Sequence, residues 1–194
     1  MIAGSKRFFR IVGTLVLISL LLVGCGLFDI RDPEEPTGTE VPYVTPVERY
    51  LALKNLETAT EARFAGNFQR AFAQDYVFRF DALDAGTDTT WNLDRDLQAL
   101  TNLFENAPED VDLTWTIRDS AYYGDDFYYG NLGYRVVFRA SATDSVLIGG
   151  KCFLYFRYQG SEWLVYRWAD IYDETADKTW GYARSHAAEL FPPR

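Results

Sequence analysis

Between Val111 and Ile171, hydrophobic and polar positions alternate in short runs. Leu113, Trp115 and Ile117 share one phase, with Thr114, Thr116 and Arg118 on the other. Leu132, Tyr134, Val136 and Phe138 oppose Arg135 and Arg139, and Ile148, Cys152, Leu154 and Phe156 oppose Lys151 and Arg157. Tyr166, Trp168 and Asp170 oppose Arg167. Side chains alternate faces along a strand, so the pattern predicts strands over Val111–Ser120, Leu132–Ala140, Val146–Tyr158 and Trp163–Ile171. In each, the basic residues fall opposite the apolar set, which predicts an antiparallel sheet with one buried and one wet face. Ser141–Asp144 and Gln159–Glu162 carry turn residues and close the hairpins.

Upstream the period changes to that of helices. Leu53, Leu56, Thr60 and Phe64 follow Thr45-Pro46-Val47-Glu48, where Thr45 suits an N-cap, Pro46 the first helical position and Glu48 a capping box. Gly66-Asn67 breaks this helix, and Asn67 is expected to cap a short second one with Phe68, Ala71 and Phe72 inward. Asp75–Phe80 alternates as a strand, with Tyr76, Phe78 and Phe80 on one face and Arg79 on the other. An acidic loop, Asp81–Thr90, follows, and its spacing does not match a calcium loop. Leu93, Leu97, Leu100 and Phe104 mark a third helix that stops at Asn106-Ala107-Pro108. Ala121–Asn131 gathers Tyr122, Tyr123, Phe127, Tyr128 and Tyr129 around Gly124-Asp125-Asp126. Such a run suits a sugar-stacking loop or, as expected here, a hairpin extending two twisted strands. Trp180, Ala183, Ala187 and Leu190 predict a closing helix over Thr175–Leu190, with the single histidine, His186, solvated near its end.

The N-terminus has a different character. Lys6, Arg7 and Arg10 precede an apolar run, Ile11–Val23, shorter than the ~20 residues a spanning helix needs. It ends in Leu22-Val23-Gly24-Cys25, which resembles the lipobox of bacterial lipoproteins. That resemblance implies cleavage before Cys25, lipid on its sulfur and acylation of the new amine. It implies a bacterial cell-envelope protein anchored to a membrane through Cys25. Residues 1–24 are then a signal peptide. Residues 25–46, rich in Pro and acids, form a tether, and residues 47–194 form the domain.

The chain carries a net charge of −9, and loss of the three leader bases leaves 28 acids against 16 bases, a net of −12. Such acidity argues against nucleic acid as the partner. With Cys25 used, Cys152 is the one remaining thiol, so no intramolecular disulfide is expected. Its apolar phase makes it a buried structural group. No metal constellation, phosphate loop or nucleophile–base pair stands out, so neither cofactor nor metal nor catalytic residue is assigned.

The order helix, helix, strand, helix, long antiparallel meander resembles the nuclear transport factor 2-like (SnoaL-like, cystatin-like) proteins. Asn55 to Phe72 leading into Asp75-Tyr76-Val77-Phe78, and the final strand Trp163-Leu164-Val165-Tyr166-Arg167-Trp168-Ala169-Asp170, carry the likeness. The fold it implies is an α+β cone, a curved antiparallel sheet wrapped around the N-terminal helices, here with an added C-terminal helix. In that superfamily the cone encloses an apolar cavity, used by some members for isomerase or dehydratase chemistry and by others only for binding. The expected cavity lining is Tyr76, Phe78, Trp115, Tyr134, Phe138, Tyr166, Trp168 and Asp170. Asp170 is the one acid among aromatics there, readable as a base of raised pKa or as a carboxyl satisfied by a Tyr, an Arg or a backbone donor. Outer sheet faces pair in dimers of the superfamily. Arg135, Arg139, Phe153, Tyr155, Arg157 and Arg167, with Arg79, Arg118, Lys151 and Trp163 in the same phase, are therefore candidates for a homodimer or envelope-partner interface. Two classes stay open. The expectation carried forward is a non-catalytic domain that binds a partner or small apolar ligand; the other is a small cavity enzyme acting on a small organic molecule.

Overall fold

A computed structural model describes residues 41–84 and 89–192. Residues 41–194 form a unit of their own, whose elements in chain order are helices α1 (Arg49–Glu61) and α2 (Ala65–Ala71), strands β1 (Phe72–Arg79) and β2 (Thr90–Asn92), and helix α3 (Leu93–Asn106). Strands β3 (Asp110–Thr116), β4 (Asp119–Tyr123), β5 (Asp126–Arg139), β6 (Ser145–Gln159) and β7 (Glu162–Ile171) follow, then short helices α4 (Trp180–Ser185) and α5 (Ala187–Leu190). The strands build one seven-stranded sheet in the order β2, β1, β7, β6, β5, β3, with β4 also on β5. All pairings are antiparallel except β1 with β7. This is the expected α+β cone, its long β5–β6–β7 meander curved about the helices.

The helices bury one stripe each. Ala52, Leu53, Leu56 and Ala59 of α1, and Ala99, Leu100, Leu103 and Phe104 of α3, enter a single core with the inner face of the sheet. Helix α3 starts where the Asn92 side chain accepts the Arg95 N–H at 3.1 Å, with Asp94 and Asp96 favourably placed in its first turn.

Several expectations shift. Helix α1 begins at Arg49, and its N-cap, Glu48, makes no side-chain cap bond. Thr45 and Pro46 are spent differently: the Pro46 carbonyl accepts the Trp163 N–H at 2.8 Å. Residues 41–46, assigned to the tether, lie strapped to the domain, with Asn55 bonded both ways to the Val44 backbone at 3.0 and 2.6 Å. Asn67 is buried inside α2, where it donates to the Val41 and Pro42 carbonyls instead of capping. Phe64 and Ile117 are exposed, since the helix and the strand they were to extend end before them. The acidic loop ends at Thr90, where β2 begins, and Asp81 accepts the Tyr172 N–H at 3.0 Å. The closing helix is split at His186, whose ring stacks on Tyr182 at 4.3 Å.

A bulge corrects the phase of β7. Tyr155 pairs with Arg167 but Phe156 pairs with Val165, leaving Tyr166 as the extra residue. Tyr166 therefore sits on the outer face, 6.0 Å from the Tyr155 ring and under the Arg157 guanidinium. Residues before the bulge reverse phase. Trp163, expected outside, packs inward against Phe127, and Val165 is fully buried.

Candidate functional site

The interior of the cone is where a cavity was expected, and the first C-terminal helix packs its Trp180 and Ala183 into that core. After β7 ends at Ile171, the chain runs past the free end of β6, where Gly149 donates to the Lys178 carbonyl at 2.9 Å. It then turns into the cone as α4. A Cβ at Gly150 would lie 2.5 Å from the Tyr134 hydroxyl and 2.9 Å from the Ile171 carbonyl, so only glycine fits this corner. Thr179 caps α4 by accepting the Tyr182 N–H at 3.1 Å, and its hydroxyl donates to Asp84.

Two buried polar networks bind the helix. In the first, Tyr134 donates to Asp170 Oδ1 at 2.6 Å and accepts the Trp180 N–H at 2.9 Å. The Gly181 N–H donates to Asp170 Oδ2 at 2.7 Å. A side chain at Gly181 would collide with the Phe80 ring at 2.9 Å, so this close approach also needs glycine. Burial raises the Asp170 carboxyl to about 6, against the pull of the Tyr134 and Gly181 donors. Burial likewise pushes the Tyr134 hydroxyl and the Cys152 thiol well above their usual ranges, which leaves Cys152 an inert structural thiol.

In the second network, Arg184 of α4 meets Asp96 of α3. Its Nη1 lies 2.6 Å from both carboxylate oxygens, and both side chains are fully buried. Tyr76 adds a donor to Asp96 at 3.0 Å. The guanidinium lies over Phe78, Trp168 and Trp180 at 4.5, 4.7 and 5.2 Å. Its Nε and Nη2 have no hydrogen-bond acceptor among the described residues, and ring contacts supply the rest of the guanidinium's surroundings. Burial lowers the Arg184 pKa, but the Asp96 charge outweighs it and holds the group above its usual value.

Of the residues expected to line a cavity, Tyr76, Phe78, Tyr134, Phe138, Trp168 and Asp170 are buried in the core. Trp115 is half-buried beside Tyr134 and Trp168, and Tyr166 lies outside. Surface grooves of about 810, 470 and 240 Å³ are present, and none of the three is lined by Asp170, Asp96 or Tyr134. Phe138 borders the largest, and its inner side stacks toward Trp180. The sequence reading overlooked Asp96 and Arg184. The signal was present: each is a charge on an apolar helical stripe, Asp96 with Ala99, Leu100 and Leu103, and Arg184 with Trp180, Ala183 and Ala187. Opposite charges on two such stripes mark a buried pair.

The outer face holds its candidates at two ends of β6, Arg139 opposite Ser145 and Arg157 opposite Leu164 on the neighbouring strands. Arg157 pairs with Asp75 at 2.9 Å and Asp126 at 3.6 Å, and Arg139 with Asp110 at 3.0 Å. Arg167 lies over Tyr155, and Phe153, Tyr155 and Tyr128 form a half-exposed ring cluster. Arg135 is exposed, and Lys151 pairs with Asp173 at 2.6 Å. Cys25 lies outside the described residues.

No family model and no curated protein matches the chain in sequence. Solved structures match its fold. A protein of unknown function from Mycobacterium tuberculosis aligns with a TM-score of 0.55 at 11% identity, over 73% of this chain and 87% of its own. A nuclear transport factor 2-like superfamily protein from Salmonella enterica serovar Typhimurium aligns with a TM-score of 0.51 at 7% identity, over 65% and 89%. A nuclear transport factor 2-like protein from Cytophaga hutchinsonii aligns with a TM-score of 0.50 at 10% identity, over 63% and 93%. The domain therefore has the nuclear transport factor 2-like fold.

Proposed function

We propose that the protein is a lipid-anchored bacterial envelope lipoprotein whose domain binds a partner and does not turn over a substrate. The observation that supports the non-catalytic reading is the Arg184–Asp96 pair. It fixes α4 in the interior of the cone, where the superfamily resemblance implies a cavity. A general base needs hydrogen-bond reach to a substrate, and both oxygens of Asp170 are already engaged by Tyr134 and Gly181. The partner surface is then the outer sheet face, where arginines and aromatic rings alternate around Tyr155. The anchor rests on Leu22-Val23-Gly24-Cys25 behind a basic, apolar leader.

Two acyl chains hold a protein stably at a membrane where one does not. Cys25→Ser is therefore expected to leave the protein unprocessed or to move it into the soluble fraction. Normal processing with unchanged membrane association would refute the anchor.

A further inference from the structure

Among the described residues, ten large hydrophobic side chains are exposed, and five of them gather at one end of the domain. Val44, Val47, Tyr50, Tyr122 and Tyr158 are each more than half exposed, at 53, 57, 56, 63 and 55%. Their neighbours tie them into one patch. Trp163 lies 5.3 Å from the Tyr158 ring and bonds Pro46, the residue before Val47. The Arg49 guanidinium spans Phe127, Trp163 and Tyr122 at 4.0, 5.0 and 5.2 Å and donates to the Tyr122 hydroxyl at 2.6 Å. A hollow of about 240 Å³ opens here between Tyr50, Arg49, Tyr129 and Trp163. Tyr129 is largely buried and lines the hollow.

We infer that this rim is a membrane face, bedded in the headgroup zone of the bilayer that holds the Cys25 lipid. The inference rests on the anchor proposed above. Tyr and Trp prefer that zone because each joins an apolar ring to a polar tip. The length of chain allows it: residues 26–40 separate Cys25 from Val41, a reach of at most about 55 Å, and Val44 and Val47 follow directly. Lipid on Cys25 supplies the residence, and the rim sets which way the domain faces. The charge balance selects the lipid. Arg49 is engaged by rings, while Glu48 and Glu162 flank the patch. The face therefore suits zwitterionic headgroups, and anionic lipid should not strengthen its contact.

The test uses the full, processed chain in phosphatidylcholine vesicles. With Cys25 acylated and Cys152 buried, Tyr50→Cys offers one reactive thiol for a bimane probe. Thr143→Cys, in the turn at the far end of β6, is the control. With brominated acyl chains, the Tyr50 probe is expected to lose its emission several-fold and the Thr143 probe to keep it. Adding phosphatidylglycerol should leave the quenching equal or weaker. A chain that floats with the vesicles but whose Tyr50 probe stays bright overturns the membrane face alone. That result includes the case in which the chain's own N-terminal segment covers the rim. A chain that does not float, with Cys25 unacylated, overturns the anchor and the membrane face together.

Discussion

The inside of the cone and its outer sheet face are built from the same parts, arginine, aspartate and aromatic rings, with opposite consequences. Inside, Arg184 and Asp96 are wholly buried and the guanidinium is caged by Phe78, Trp168 and Trp180. Outside, Arg157 and Arg139 pair with Asp75 and Asp110 while remaining about 40% exposed, at 39 and 40%. A buried pair need not stabilise relative to apolar residues, yet removing one partner strands a charge and costs ~3–5 kcal/mol. An exposed pair is worth ~0–1 kcal/mol because water and salt screen it. The interior charges thus specify where α4 docks, whereas the outer charges can be exchanged for contacts with a partner at little cost to the fold.

The largest expected effect breaks the interior pair. Arg184→Met should lower stability by ~3–5 kcal/mol, read as a large drop in melting temperature. Adding Asp96→Asn should recover much of that loss. A loss below ~1 kcal/mol for the single variant would put the pair in the same class as the surface pairs and erase the contrast.

A smaller effect concerns pH. Asp170 is raised by burial from 3.8 to about 6. Below pH 3.8 both folded and unfolded chains hold its proton, so its stabilising contribution is fully present. Between that pH and about 6 only the unfolded chain releases it, and stability falls as pH rises. The span corresponds to at most roughly 3 kcal/mol. Burial raises Asp96 and Asp84 in the same direction. Chemical denaturation across this window should show the decline, and Asp170→Asn should flatten it. An equal slope in both proteins would mean that other groups carry it.

The smallest effect on stability is expected outside. Arg135→Glu combined with Arg157→Glu should change the melting temperature little, while abolishing self-association or capture of an envelope partner. Survival of that binding would make the stripe an ordinary solvated face. Collapse of the fold would assign those arginines to the structural network.

Much of this contrast was legible in the sequence. The period-2 phases of β3, β5 and β6 placed Leu113, Tyr134, Phe138 and Leu154 inward and Arg135, Arg139 and Arg157 outward, as the structure has them. The phase of β7 failed at Tyr166 and Trp163 because a bulge adds one residue, which alternation along a single strand cannot reveal. Asp170 among aromatics was visible as a polar group in an apolar phase. Its partners were not, because two of its donors, Tyr134 and Gly181, are separated from it by 36 and 11 residues. The occupied cone was hidden for the same reason: Arg184 and Asp96 lie 88 residues apart, and only packing unites them.

Amide hydrogen exchange at Trp180 and Gly181 tests the closed cone most directly. Their N–H groups donate to Tyr134 and Asp170 at 2.9 and 2.7 Å. If α4 is an integral part of the core, both amides should exchange only through global unfolding, as slowly as the paired amides of β6 such as Leu154. Fast exchange at Trp180 and Gly181, with β6 still protected, would show α4 leaving the cone while the sheet stays folded. The interior around Asp170 would then be open to a ligand, contradicting the non-catalytic reading.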